Sequence, residues 1–315
     1  MSTYSLHGVD LEVHGAPDIQ LEMELRLRAF RSPVGAHPLR LEFLEGPDRA
    51  IAPPTDASRP VYETPYGDVA YFPDTDTLWG DLRGVRLRCD ATSGVARLQC
   101  DTGFSGRELY LATHPLATIA LMELLERRDR YCLHAGCLEL DGRGVLVAGP
   151  TGSGKSTLTV ALVRAGLGFV SDDLVFLAHG EDRLEALGFA DAAGVTDASA
   201  ERFALEGTPR RDGFPKRLIR LEDAFGVTPV ERCEPRVIVF PEVVYDSPGE
   251  VMPLDPGEAY LRLVPDVLLT QPAGTQAHLK AIAALLAQVR CYTLRSGTDL
   301  GYTAELVRAL LRTPA

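Results

Sequence analysis

The sequence predicts an α/β fold, in which a phosphate-loop domain of strands and helices follows an N-terminal region rich in β-strand. Three observations predict it. Gly149-Pro150-Thr151-Gly152-Ser153-Gly154-Lys155-Ser156 fills the pattern G-x-x-x-x-G-K-[ST] at every fixed position. The apolar run Gly144 to Ala148 precedes it, suited to a buried strand, and Leu158, Ala161, Leu162 and Ala165 follow at helical spacing, with Gly166 placed to end the helix. Up to about residue 105 the apolar positions instead alternate in short runs broken by Pro, Gly and Asp.

In chain order, Ile19 to Leu27 alternates apolar and polar and predicts a half-buried strand. Leu39 to Leu44, Val69 to Phe72, Val85 to Cys89 and Val95 to Cys100 are further short strands, with Trp79 in a loop-like stretch between two of them. No catalytic constellation falls here, so residues 1–105 are expected to form a β-rich accessory domain that recognises the substrate. From Arg107 the period lengthens, and Leu109, Leu111, Leu116, Ile119, Leu121, Leu124 and Leu125 predict a connecting helix over 106–130, interrupted near His114-Pro115.

A second domain, 131–315, is expected to open with a strand from Tyr131 to Leu140 that carries His134. It turns at Asp141-Gly142 into the strand before the phosphate loop. Beyond the loop helix, Asp172 and Asp173 lie between Phe169-Val170 and Leu174-Val175-Phe176, within or at the end of a strand. Charge is costly on both faces of a core strand, so a metal-bound or phosphate-linked role is favoured over a surface turn. Residues 180–215 read as polar and loop-like, with Glu201 and Glu206 in a short helix. Arg210, Arg211, Lys216, Arg217 and Arg220 then form the densest basic segment. Val237 to Phe240 (strand), Ala277 to Val289 (helix), Cys291 to Leu294 (strand) and Tyr302 to Leu311 (helix) complete the chain.

The motif's residue types follow from its chemistry. Glycines let successive backbone N–H groups close on phosphate oxygens, and the helix that follows presents its positive end to them. The Ser156 hydroxyl suits Mg²⁺ and the Lys155 ammonium the β- and γ-phosphates. Lys155, Lys216 and Lys280 are the only lysines among 32 Lys and Arg residues. In a chain so biased to arginine, a lysine within the loop marks a place for a compact point charge. A nucleoside triphosphate site is the expectation.

A formal net charge of −12 argues against a general nucleic-acid or membrane-surface binder. The six cysteines show no C-x-x-C pair or zinc spacing, so free, mostly buried thiols in a reducing cytosol are expected. Neither a leader pattern nor a membrane-length apolar run occurs, which predicts a cytoplasmic protein. Asp191-Ala-Ala-Gly194 matches the D-x-x-G of GTPases, but no strand is expected before it and N-K-x-D is absent. A transporter-type ATPase would carry an apolar run ending in Asp-Glu and a signature loop, and neither occurs.

His134-x-Gly136, the turn Asp-Gly-Arg-Gly, the phosphate loop and Ala-Gly-Leu-Gly-Phe-Val-Ser-Asp172-Asp173 together resemble the catalytic domain of HPr kinase/phosphorylase and related serine and peptide kinases. Around the phosphate loop that family is similar to phosphoenolpyruvate carboxykinase. The match covers roughly residues 131 to 178, with looser likeness at Pro215-Lys-Arg and the final strand and helix. The resemblance implies a mixed sheet flanked by helices, ATP and Mg²⁺ as cofactors, and transfer of the γ-phosphoryl group to a hydroxyl, serine first. Residues 149 to 157, Thr157 included, would bind the nucleotide. Ser156 would hold Mg²⁺ together with one of Asp172 and Asp173, the other being the base, with Asp172 favoured for the metal and Asp173 for the base, and His134 would assist at the phosphoryl site. Lys216 or Arg217 would neutralise the transferring group. Thr157 stands where the bifunctional enzymes commonly carry an acidic residue, and their dephosphorylation segment is not recognisable. The N-terminal region is more similar to that of HPr-kinase-like proteins associated with ribosomal-peptide modification. A one-way kinase on a peptide or small protein is therefore expected, with a homo-oligomer left open. The alternative is a nucleotide-binding scaffold or slow ATPase switch that holds a partner, which has no need of a base beside the metal.

Overall fold

The computed structural model describes residues 1–313 except 34, 36, 37, 50, 245–247 and 269. The chain packs as two units, Met1–Arg130 with Leu268–Ala277, and Tyr131–Val267 with His278–Ala315.

The first unit holds β1 (Ser2–Leu6), β2 (Val9–His14), α1 (Pro17–Leu27), β3 (Leu39–Glu45), β4 (Arg59–Thr64), β5 (Gly67–Phe72), β6 (Thr77–Leu82), β7 (Val85–Asp90) and β8 (Val95–Cys100). They build one eight-stranded sheet in the order β1-β2-β3-β8-β7-β6-β5-β4. Two expectations are corrected here. Residues 19–27 form helix α1 and not a strand, and Trp79 sits in β6 and not in a loop. β2 and β3 pair in parallel, which demands a crossover, and α1 supplies it. Alternation at every second residue contains a repeat at every fourth. Ile19, Met23 and Leu27 are fully buried along one helix face, while Leu21 and Leu25 are left 61% and 43% exposed. Pro17 in the first turn, followed by Asp18, was the helical signal.

The helical stretch after β8 packs within this unit as α2 (Gly106–Leu111), a wide π turn (Ala112–Leu116) and α3 (Ala117–Glu126). The interruption falls at Pro115, which lacks the N–H for a regular turn.

The second unit holds β9 (Tyr131–Leu133), β10 (Ala135–Leu140), β11 (Arg143–Ala148), α4 (Lys155–Arg164), β12 (Gly168–Ser171), β13 (Val175–His179) and β14 (Leu184–Gly188). There follow β15 (Ala193–Val195), α5 (Asp197–Phe203), β16 (Thr208–Pro209), β17 (Arg217–Ile219), α6 (Leu221–Phe225), β18 (Arg232–Val243), β19 (Glu250–Pro253), α7 (Pro256–Leu263), β20 (Arg290–Ser296) and α9 (Leu300–Arg312). Helix α8 (Pro272–Gln288) runs through the boundary residue Ala277. The sheet is mixed. β11, β18 and β20 run parallel, while β10 pairs antiparallel with both β11 and β12. β14 pairs with the start of β18, and β13 and β9 continue from it. Val145, Leu146 and Val147 on β11 are all fully buried, so both faces of this central strand are covered. Residues 180–215 hold more regular structure than expected, since β14, β15 and β16 fall within them, β15 and β16 joining β17 in a small separate sheet, and α5 includes Glu201 but ends before Glu206.

Candidate functional site

The site begins where β11 ends. Residues 149–154 turn through the left-handed region at Gly152 (φ 87°) and Gly154 (φ 96°), and α4 opens at Lys155. A side chain at either glycine would be strained, which is why the loop needs them. Gly154 caps α4 without a side chain, leaving the first-turn N–H groups for a ligand. Lys155 is buried, and its ammonium donates to the carbonyls of Gly149 at 2.6 Å and Pro150 at 3.3 Å. Pro150, Thr151 and Gly152 form the exposed rim, and the Ser153 hydroxyl is buried with no hydrogen-bond partner.

Two broken strands bring the remaining groups to this loop. Leu133 pairs with Val175 across β9 and β13, and Cys137 pairs with Ser171 across β10 and β12. Residues 134–136 therefore lie opposite 172–174; His134 falls in the break between β9 and β10, and 172–174 fall in the break between β12 and β13. Ser171 holds the bend by donating to the carbonyls of Leu174 and Phe189. Asp172 and Asp173 thus sit in the gap between two strands rather than in either one. Asp172 turns inward, 3% exposed, while the Asp173 side chain is 69% exposed. Ala135 pairs with Ala148, the residue before the loop, so His134 is carried to the loop's end of the sheet. Its Nδ1 lies 3.4 Å from Asp173 Oδ1.

Ser156 donates its hydroxyl to Asp172 Oδ2 at 3.0 Å, while Asp172 Oδ1 is buried and makes no hydrogen bond. Burial, and after it the Asp173 carboxylate, raises the Asp172 carboxyl, which comes to about 6. The Ser156 and Thr159 hydroxyls and the Lys216 ammonium pull it partly back. A buried, unpartnered carboxylate oxygen beside a hydroxyl is a donor set short of a cation. Among the described residues no three His, Cys, Asp or Glu side chains gather as a metal cage. The Ser156 hydroxyl and Asp172 carboxylate fit Mg²⁺, which takes one or two protein ligands and completes its shell from phosphates and water.

Gly136 explains the closeness of this packing. A Cβ there would lie 2.7 Å from Thr159 Oγ1 and 2.9 Å from the Asp172 carbonyl oxygen. Thr159 was not foreseen, although its spacing from Ser156 puts both on one face of α4. Thr157 bonds through its hydroxyl to Ser199 of α5 at 2.8 Å.

The basic segment divides. Arg210 is held by Asp212, Arg217 by Asp197 at 2.6 Å, and Arg220 by Glu222 at 2.9 Å. The charge of Lys216 helps to lower the Asp172 carboxyl. Lys216 immediately precedes β17 and its stem lies beside Gly194, whereas Arg217, the first residue of β17, turns to Asp197. The structure brings His134, Lys155, Ser156, Asp172 and Asp173 together, sets Lys216 beside Gly194 with its charge felt at Asp172, and leaves Arg217 with Asp197. A strand, β14, does precede Asp191, contrary to expectation. All six cysteines are buried and free, as expected. No helix among the described residues is long and apolar enough to cross a membrane.

No protein-family model matches the chain. It is similar to the HPr kinase/phosphorylase of Aromatoleum aromaticum, 34% identical over 71 residues that make up 21% of this chain and 23% of that protein. The HPr kinase/phosphorylase of Ralstonia pickettii is 35% identical over 82 residues, 24% of this chain and 25% of the relative. The chain thus spans about a quarter of the length of the curated relatives it matches. Among solved structures, the Hpr(Ser) kinase/phosphatase from Coxiella burnetii aligns with 57% of this chain and 88% of its own, at 16% identity and a TM-score of 0.32. The resemblance to HPr kinase/phosphorylases expected from the sequence is thus met in curated relatives.

Proposed function

We propose that this chain is an ATP-dependent kinase that transfers the γ-phosphoryl group to a serine hydroxyl of a peptide or small protein, in the setting of ribosomal-peptide modification. The observation that carries this reading is the division of labour within the Asp pair. Asp172 is buried against Ser156 with one oxygen unpartnered, and Asp173 is exposed beside His134. Ser156 and Asp172 would hold Mg²⁺, which would neutralise charge on the β- and γ-phosphates when bound. Lys155 would exchange the carbonyls of Gly149 and Pro150 for phosphate oxygens.

Asp173 is exposed enough to meet an incoming hydroxyl and takes its proton as the oxygen attacks phosphorus. His134 orients that carboxylate. Lys216 faces the charge that spreads over the transferring group, a role in which a cation lowers the barrier without covalent chemistry.

The test is transfer of labelled γ-phosphate from MgATP to serine peptides encoded beside this gene, comparing wild type with Asp173→Asn. Label on serine, lost in the variant while ATP still binds, supports the reading. Slow hydrolysis with no labelled acceptor, equal in both proteins, would favour a nucleotide-dependent scaffold instead.

A further inference from the structure

We infer that Gly194 is a positioning residue, whose missing side chain on β15 leaves the lane along which Lys216 reaches the phosphate site. This rests on the kinase reading above, in which Lys216 meets the transferring group. Gly194 pairs with Leu218 in the small sheet, and its φ lies outside the left-handed region, so its backbone makes no demand for glycine. Glycine weakens a strand, and inside one it often marks the close approach of another group.

Here that group is Lys216. A Cβ built at residue 194 would lie 3.5 Å from Lys216 Cδ and 3.9 Å from Nζ, with no other neighbour within 4 Å. One methyl group therefore fits at ordinary contact distance. A branched or longer side chain takes the space of the lysine stem.

The scaffold around the lane is fixed at both ends. The Thr157–Ser199 hydroxyl bond ties α5 to the first turn of α4. Arg210 N–H donates to the Lys216 carbonyl at 3.1 Å, which sets where the lysine leaves the small sheet. Arg210, Arg217 and Arg220 are each held by a carboxylate, so displacing Lys216 leaves no ready substitute among them.

The test uses the full chain and two probes that need no acceptor, Mg·ADP with aluminium fluoride for the transferring phosphoryl group and Mg·AMPPNP for the ground state. Gly194→Ala should bind both as wild type does. Gly194→Val should bind the fluoride complex about a hundredfold more weakly, as Lys216→Ala does, with AMPPNP affinity unchanged. The double variant should be no weaker than Lys216→Ala, because Gly194 acts only through the lysine. If Gly194→Val keeps tight fluoride binding while Lys216→Ala loses it, the inference fails and the kinase reading stands. If Lys216→Ala itself binds like wild type, the assigned role of Lys216 fails, and the inference with it. Loss of both probes in Gly194→Val, with both retained in Gly194→Ala, also overturns it, since residue 194 would then serve the fold.

Discussion

Replacing Asp172 by Asn should make the ligand-free protein more stable at neutral pH while abolishing phosphoryl transfer. Burial, then the neighbouring Asp173 charge, raises the Asp172 carboxyl from 3.8 to about 6. A carboxyl whose pKa is higher in the folded state binds its proton more tightly there. Its favourable contribution is complete below the unfolded value and is lost as pH rises through the folded one. The window therefore runs from about pH 4 to about pH 6. Above it, the ionised carboxylate costs about 3 kcal/mol, from a rise of about two units at 1.36 kcal/mol each.

Asn keeps the shape, still accepts from Ser156, and carries an amide N–H that can donate to Thr159 Oγ1, the hydroxyl already beside this carboxyl. The expected gain at pH 7.5 is about 2–3 kcal/mol in the transition of the second unit, at roughly 2–4 °C per kcal/mol for a unit of this size. At pH 4 the two proteins should converge. Added Mg²⁺ and nucleotide should narrow the gap from the wild-type side, because a bound cation stabilises Asp172 in its charged form. Trp79 lies in the other unit. Calorimetry, or hydrogen exchange at β12 and β13, is accordingly the readout rather than tryptophan fluorescence. Equal stability at both pH values, or a wild type more stable at pH 7.5, would refute the reasoning.

Lys155→Arg should keep the fold and lower transfer by more than about a hundredfold, since a planar guanidinium does not replace a point charge within the loop; near-normal turnover contradicts this. Lys216→Ala should lower kcat about a hundredfold, or about 2.7 kcal/mol, with little change in the KM for ATP. Arg217→Ala, which frees only an exposed partner of Asp197, should leave kcat within about threefold; the reverse ranking in steady-state kinetics would transfer the role to Arg217. Gly136→Val should destabilise by about 1–3 kcal/mol and weaken Mg²⁺-dependent nucleotide binding, because its side chain collides with Thr159 and the Asp172 backbone; calorimetry showing neither effect would mean that β10 moves aside freely.

The phosphate loop was legible because its chemistry is local. Eight consecutive residues carry the turn, the point charge and the hydroxyl, and the flanking apolar patterns set strand and helix around them. The Asp pair was legible in part. The sequence identified it as misplaced for a core strand, and the fold resolves the conflict by breaking two paired strands opposite each other. Nothing in the residues around Asp172 announces that β9 and β10 break at the same level. That follows from pairings between positions some forty residues apart, which no local pattern encodes.

Elsewhere the pattern was present but ambiguous. Apolar residues at every second position from Ile19 to Leu27 satisfy a strand and also, at every fourth, one stripe of a helix. The parallel pairing of β2 with β3 decided for the helix, at the expense of leaving Leu21 and Leu25 in water. The basic segment posed the same problem for side chains. Five cations within eleven residues look equivalent by charge alone, and the resemblance left Lys216 and Arg217 as alternatives. In the fold, carboxylates at Asp212, Asp197 and Glu222 take up three of the five. Lys216 precedes β17, and its stem passes the bare backbone of Gly194.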